Sequence, residues 1–145
     1  MSIPFFGTLK FKKLHPEART PTKAHESDAG TDLYSLNYYE FHPGEIRTIH
    51  TGVAFELPTH TYGRVSDRSS MSVKGWRVGA GVIDSSYTGE CLVVLQNMTR
   101  SLAKIEPGQK IAQLIVMPVY ETTLEEIIEL PKTERGAKGF GSSGS

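Results

Sequence analysis

Short segments rich in Val, Ile, Thr, Tyr and Phe alternate along the chain with turns that contain Gly, Pro, Asn or Asp. β-Branched and aromatic side chains favour extended strands, and the turn residues end them. Strands of this length and spacing are typical of an all-β sandwich or barrel. The runs that fit strands are residues 9–14, 45–57, 61–66, 90–98, 101–107 and 110–121.

One segment carries the end signals of a short helix. In "RSSMSVKG", residues 68–75, the serines suit a helix start and Gly75 suits its end. Residues 123–130 mix Leu and Ile with glutamates, and they fit either a strand or an amphipathic helical turn because short apolar runs do not distinguish the two. The composition changes near Pro131, so we expect a core domain of residues 1–131 followed by a flexible arm of residues 132–145.

The overall composition narrows the classes of function. The 145 residues are 38% hydrophobic and 22% charged, which suits one compact domain. Sixteen basic residues balance sixteen acidic ones, so no global charge favours nucleic acid or a membrane surface as a partner. The single cysteine, Cys91, lies in an apolar run and is predicted to be a core residue. The sequence shows no signal peptide and no apolar stretch of membrane-spanning length, which predicts an intracellular protein, cytoplasmic or nuclear.

The segment "GRVSDRSSMSVKG" combines an arginine and two hydroxyl residues at a predicted junction of strand and helix. A guanidinium, hydroxyls and free helix N-terminal amides suit an oxyanion. The same residues also fit an ordinary serine cap beside a surface arginine. Gln113 interrupts an otherwise apolar strand; it either faces solvent or directs its amide toward a phosphate oxygen.

The segment "VGAGVIDSSYTGE" predicts a hairpin, with Asp84 and Tyr87 beside it. Its glycines allow close approach to the backbone, whose hydrogen-bonding groups suit the edge of a nucleobase. The Asp84 carboxylate suits a general base toward water. A plain hairpin with Asp84 in a turn is the alternative. At the C-terminus, "ERGAKGFGSSGS" places Arg135 and Phe140 in a Gly/Ser-rich string, which is either a frayed terminus or a segment that orders on a ligand.

Five segments together resemble, in order and spacing, the five motifs of the trimeric deoxyuridine triphosphatase (dUTPase) family. They are "AGTDLYS" (29–35), "GRVSDRSSMSVKG" (63–75), "GAGVIDSSYTGE" (79–90), "PGQKIAQLIV" (107–116) and "RGAKGFGSSG" (135–144). The resemblance implies a jelly-roll-like β-barrel and a homotrimer with shared active sites. It implies Mg²⁺-dependent hydrolysis of dUTP to dUMP and pyrophosphate, which keeps uracil out of DNA and supplies dUMP for thymidylate synthesis.

The resemblance also implies a role for each matching residue. Asp84 is expected to activate the attacking water, and the arm is expected to close over the site. The residues expected to contact phosphate are Arg68, Ser69, Ser70, Gln113, Arg135, Ser142 and Ser143. Those expected at uracil and deoxyribose are Gly79, Val82, Ile83, Tyr87 and Phe140. Asp32 and Arg64 are expected to form a supporting pair. The resemblance also implies that Mg²⁺ is held mainly by the substrate phosphates and water, and that Asp32 is able to contact the ion through water.

A few positions depart from the family pattern. Ser66-Asp67 stands where the family usually has Ala-Pro, which places a carboxylate beside Arg68; Asp67 either weakens phosphate binding or faces away. Ser86 and Thr88 replace a common Asp and a frequent Arg. Two alternative functions are compatible with a related scaffold. One is a dCTP deaminase-like enzyme, which shares an "RSS" turn, and the other is a non-catalytic nucleotide-binding regulator.

Overall fold

A computed structural model describes residues 6–141 of the chain. Within them the backbone forms ten β-strands and one helical turn. Their bounds are β1 Lys10–Lys13, β2 Gly30–Tyr34, β3 Tyr39–Phe41, β4 Ile46–Glu56, β5 Thr61–Ser66, α1 Ser69–Ser72, β6 Trp76–Gly79, β7 Val82–Asp84, β8 Glu90–Asn97, β9 Ala103–Ile105 and β10 Lys110–Pro118. No helix in this part of the chain is long and apolar enough to cross a membrane.

The strands form two four-stranded sheets and one two-stranded sheet. Sheet A has the order β1-β4-β8-β6, sheet B has the order β2-β10-β5-β7, and sheet C pairs β3 with β9. All of these pairs are antiparallel. The predicted all-β, jelly-roll-like fold with one short helix is therefore confirmed.

The core is built from the inward faces of both large sheets. Strand β8 shows the alternation expected of a half-buried strand, because Cys91, Val93 and Leu95 are buried while Leu92 between them is exposed. Leu114 of sheet B joins the same cluster. Each fully buried side chain of this kind contributes about 1.5–3 kcal/mol relative to an exposed one. Cys91 is only 1% exposed, which confirms it as a core residue, and this burial raises the pKa of its thiol to about 12.

One buried polar side chain, Asn97, joins sheet A to sheet C. Its Nδ2 donates to the carbonyls of Phe41 and Ser101 at 3.3 and 2.8 Å. Its Oδ1 accepts from the amide and hydroxyl of Thr99. Asn97 is only 1% exposed, so these bonds satisfy a side chain that could not otherwise be buried without a large cost.

The segment predicted as a hairpin has a different geometry. Strand β7 pairs with β5 in sheet B, whereas β6 and β8 pair with each other in sheet A. The chain crosses between the sheets at Gly81, which has a φ of +114° and whose carbonyl accepts from the Val65 amide at 2.7 Å. A Cβ at this position would lie 2.6 Å from the Val65 carbonyl oxygen. The hairpin prediction was wrong because this glycine redirects the chain to another sheet.

The other predicted elements agree in part. Each of the six predicted runs contains a strand, and residues 68–75 contain the helix. Residues 123–130 are neither strand nor helix and are exposed throughout. Leu124 and Ile128 are fully exposed, so among residues 6–141 no packing partner fixes them in a regular conformation.

We expect Asn97→Ala to lower the free energy of unfolding by at least about 2 kcal/mol, because the change leaves a cavity and removes the hydrogen bonds to the buried Phe41 carbonyl and to Ser101 and Thr99. The neighbouring Gln96 points the other way and makes one exposed hydrogen bond, to the Gly44 carbonyl. Gln96→Ala is the matched control and should cost less than about 1 kcal/mol. Urea unfolding at one fixed chain concentration measures both, and equal losses would contradict the role of Asn97.

Candidate active site

A cleft of about 350 Å³ lies where β2, β10 and the start of α1 meet. Its polar lining consists of Asp28, Asp32, Arg68, Ser69, Ser70 and Gln113. We call it the phosphate cleft. Four of these residues, all but Asp28 and Asp32, were predicted from sequence to contact phosphate, and the fold brings those four together.

The Arg68 guanidinium is fixed on two sides. Its Nε donates to Asp32 Oδ1 at 3.2 Å, and its Nη1 donates to Ser70 Oγ at 3.1 Å. Lys110 Nζ lies 3.4 Å from Asp32 Oδ2. Two cations thus share one carboxylate that is only 16% exposed. The remaining guanidinium N–H groups can donate to an anion.

This geometry corrects one predicted pair and adds a residue. Asp32 pairs with Arg68 and Lys110, whereas Arg64 is exposed on β5 and does not pair with Asp32. Sequence reasoning missed Lys110 because a simple strand alternation puts positions 110 and 113 on opposite faces. A register shift between Lys110 and Ala112 breaks that alternation.

The Gln113 amide is held over Gly30. Its Nε2 donates to the Asp67 carbonyl at 2.8 Å. A Cβ at Gly30 would overlap Gln113 Oε1 and would lie 2.8 Å from its Cδ. The glycine is therefore required for the observed position of the glutamine.

Helix α1 presents its hydroxyls because its other side is anchored. Met71 is buried, whereas Ser69 and Ser70 are exposed toward the cleft. The first amides of a helix have no acceptor within the helix. Hydroxyls and amides therefore face the same space as the Arg68 guanidinium.

A second cleft of about 260 Å³ lies along β7. Its lining includes Val82, Ile83, Asp84, Tyr87 and Glu90. The Tyr87 hydroxyl donates to the Glu90 carbonyl at 2.7 Å, which fixes a ring that is 45% exposed. Asp84 is exposed and, among the described residues, forms no salt bridge. This base cleft brings together Val82, Ile83 and Tyr87, three of the residues predicted for uracil and deoxyribose, with Asp84; Gly79 and Phe140 are not in its lining.

The two clefts are separate within one chain. Gln113 pairs with Ser66 of β5, whereas Asp84 pairs with Tyr62, four residues away along the same strand. At the spacings of a β-sheet, Gln113 and Asp84 are roughly 16 Å apart. One nucleotide phosphate cannot contact both, so a single chain does not assemble the predicted catalytic set.

The arm residues that the structure describes lie outside both clefts. Phe140 is fully exposed, and Arg135 Nε donates to the Lys138 carbonyl at 2.7 Å within a local turn. Ser142 and Ser143 lie outside the described residues. In the described part of the chain, no group of three or more His, Cys, Asp or Glu side chains could hold a metal ion.

Comparison with known proteins identifies this arrangement of motifs. A family model described as dUTPase matches residues 16–144. The deoxyuridine 5'-triphosphate nucleotidohydrolase of Clostridioides difficile is 44% identical over 139 residues, which cover 94% of this chain and 97% of that protein. The chain belongs to the dUTPase family. The resemblance carried by the five segments is thereby confirmed.

Solved dUTPases have the same fold. The Staphylococcus bacteriophage 80alpha dUTPase with dUPNHPP superposes with a TM-score of 0.89 at 30% identity and covers 97% of this chain and 100% of its own. A mutant dUTPase from phage phi11 of S. aureus, described with a structural Mg(II) ion, superposes with a TM-score of 0.81 at 25% identity, covering 87% and 100%. Family members therefore share the β-barrel that carries both clefts.

We expect Gly30→Ala to weaken binding of inorganic pyrophosphate, a probe for the phosphate cleft, by roughly 10- to 100-fold. The added methyl displaces Gln113, and a hydrogen bond to a charged group is worth about 1.5–3 kcal/mol. Gly7→Ala, beside Pro58 and away from the cleft, is the control and should bind normally. Titration calorimetry measures both affinities; an unchanged affinity in Gly30→Ala would remove Gln113 from the phosphate contacts.

Proposed function

We propose that the protein hydrolyses dUTP to dUMP and pyrophosphate. The observation that carries this proposal is the phosphate cleft, with Arg68 held between Asp32 and Ser70, in a chain that matches the dUTPase family from residue 16 to residue 144. Removal of dUTP keeps uracil out of DNA, and the dUMP formed supplies thymidylate synthesis.

The triphosphate binds in the phosphate cleft. A nucleoside triphosphate carries about four negative charges near neutral pH, so its binding needs several donors that are fixed before it arrives. Arg68, Ser69, Ser70 and Gln113 supply such donors from α1 and β10. The salt bridges of Asp32 hold the guanidinium in place, which lowers the ordering cost of binding.

The residues of the phosphate cleft fit a Mg²⁺ ion that is held mainly by the substrate. Both Asp32 oxygens already face cations, so this carboxylate is suited to contact through water. Mg²⁺ prefers oxygen ligands and retains several waters, as in other phosphate-transfer sites. When bound, the ion neutralises charge that develops on the phosphates.

Asp84 serves as the general base. Its exposed carboxylate accepts a proton from a water molecule whose oxygen attacks the α-phosphorus. The bond between that phosphorus and the oxygen bridging to the β-phosphorus breaks, and pyrophosphate leaves. Products are dUMP and pyrophosphate, with the water proton on Asp84.

The base cleft selects the nucleoside. Strand β7 lies at the edge of sheet B, so backbone groups on its outer side are available to the uracil edge. Val82 and Ile83 belong to β7, and Gly79 ends β6 just before the chain crosses to this sheet at Gly81. The Tyr87 ring, fixed by its bond to the Glu90 carbonyl, packs against deoxyribose and leaves no space for a 2′-hydroxyl.

A homotrimer completes the site. Asp84 and Gln113 of one chain are roughly 16 Å apart, so Asp84 of one subunit acts on phosphates held by another subunit. Residues beyond Pro118 leave the barrel, and Leu124, Ile128 and Leu130 are exposed there; such side chains are suited to pack on a neighbouring subunit. The arm then brings Arg135, Ser142 and Ser143 to the phosphates and Phe140 to the uracil.

The direct test is incubation with dUTP and Mg²⁺. Release of pyrophosphate supports the proposal, release of ammonia would indicate a deaminase, and no product would indicate a binding protein. We expect Asp84→Asn to bind dUTP normally but to lose about 10²- to 10⁴-fold in turnover, because an amide of similar size cannot accept the proton. Near-normal turnover in this variant would exclude Asp84 as the base.

Mixed trimers test whether the site is shared. A chain ending at Glu134 should fold, because residues 135–141 lie beyond the last strand and all of them but Gly139 are exposed, but it should hydrolyse dUTP poorly. Exchanging its subunits with Asp84→Asn should create sites that have an intact Asp84 from one chain and an arm from another. The dUTP-hydrolysing activity of the mixture should then exceed the summed activities of the two parent proteins. If mass spectrometry confirms exchange and no activity returns, the arm acts on its own chain's Asp84.

A further inference from the structure

Asp67, in the turn between β5 and α1, contacts two elements at once. Its carboxylate Oδ1 accepts a hydrogen bond from the Val78 amide of β6 at 2.7 Å. Its backbone carbonyl accepts from Gln113 Nε2 of β10 at 2.8 Å. The next residue is Arg68. Asp67 therefore lies between sheet A and two residues that line the phosphate cleft.

The bond to Val78 follows from the position of β6. This strand is an edge of sheet A, so some of its amides point away from the sheet and lack a ladder partner. The carboxylate of Asp67 supplies the acceptor that the Val78 amide needs. The turn that precedes α1 is thereby attached to a strand of the opposite sheet.

The side chains of Asp67 and Arg68 have different partners. Asp67 bonds to β6, whereas Arg68 reaches Asp32 of β2 at 3.2 Å. No cation lies within salt-bridge distance of Asp67 among residues 6–141. Of the two expectations for this carboxylate, weaker phosphate binding or a side chain that faces away, the hydrogen bond agrees with the second.

We propose that Asp67 is a positioning residue for the phosphate cleft. Its carboxylate, bonded to Val78, fixes the turn so that its own carbonyl orients the Gln113 amide and Arg68 reaches Asp32. This inference rests on the proposed hydrolysis of dUTP. A purely electrostatic role of Asp67, in which its negative charge beside Arg68 repels the triphosphate, predicts different effects of substitution.

Two substitutions separate the hydrogen bond from the charge. Asp67→Asn keeps an acceptor oxygen and removes the charge, whereas Asp67→Ala removes both. If Asp67 positions the cleft, Asp67→Ala raises KM for dUTP roughly tenfold with kcat within about twofold, and Asp67→Asn stays near the wild type. If its charge repels the substrate, both variants lower KM.

Glu45 offers a matched control. Its carboxylate Oε1 accepts from the His42 amide at 2.8 Å in another exposed turn, away from both clefts. Glu45→Ala removes the same kind of bond and should leave KM and kcat unchanged. A rise in KM in this variant equal to that of Asp67→Ala would overturn the proposal, because the effect would then be a general one of losing a turn bond.

Hydrogen exchange and pyrophosphate binding provide readouts that do not depend on dUTP turnover. The Val78 amide should be protected in the wild type and in Asp67→Asn and should exchange faster in Asp67→Ala, which should also bind pyrophosphate roughly tenfold more weakly. The proposal is overturned if Asp67→Ala changes neither the exchange rate of the Val78 amide nor the affinity for pyrophosphate. It is also overturned if both variants bind pyrophosphate more tightly, or if Asp67→Asn is as defective as Asp67→Ala. If the wild type fails to hydrolyse dUTP, the proposed function fails, and these two measurements still decide the role of Asp67.

Discussion

The carboxylate of Asp32 holds the candidate site together. It lies between the Arg68 guanidinium and the Lys110 ammonium, and so it joins β2 to β10 and to the turn before α1. A half-buried carboxylate is stable there because cations face both of its oxygens. An approaching phosphate therefore meets a guanidinium that is already held in place by Asp32 and Ser70.

Much of the fold is predictable from the sequence because strand periodicity and turn residues are local signals. The helix at Ser69–Ser72 and the buried Cys91 follow in this way. The pairing of β7 with β5 does not follow from local signals, because it depends on a single positive φ at Gly81 that redirects the chain between sheets. Residues 123–130 are ambiguous in sequence for a related reason, because a short apolar run does not indicate whether any other part of the chain packs against it.

The residues of the candidate site are easier to predict than their arrangement. The order of five motifs indicates Arg68, Gln113 and Asp84, but it contains no information on sheet register. The register separates Gln113 from Asp84 by roughly 16 Å, and a bulge brings Lys110 to the same carboxylate as Arg68. The separation of Gln113 from Asp84 and the position of Lys110 both depend on pairing between strands that are distant in sequence. The order of motifs along the chain does not reveal that pairing.

The exposed C-terminal segment affects how a preparation of this protein should be judged. Lys132, Arg135 and Lys138 lie on exposed backbone beyond the last strand, and trypsin-like proteases cleave such sites readily. We expect a sample clipped there to keep its barrel, because these sites lie beyond the last strand. The intact mass of the chain or an activity assay would reveal that the residues expected to cover the nucleotide had been lost, whereas a test of folding alone would not.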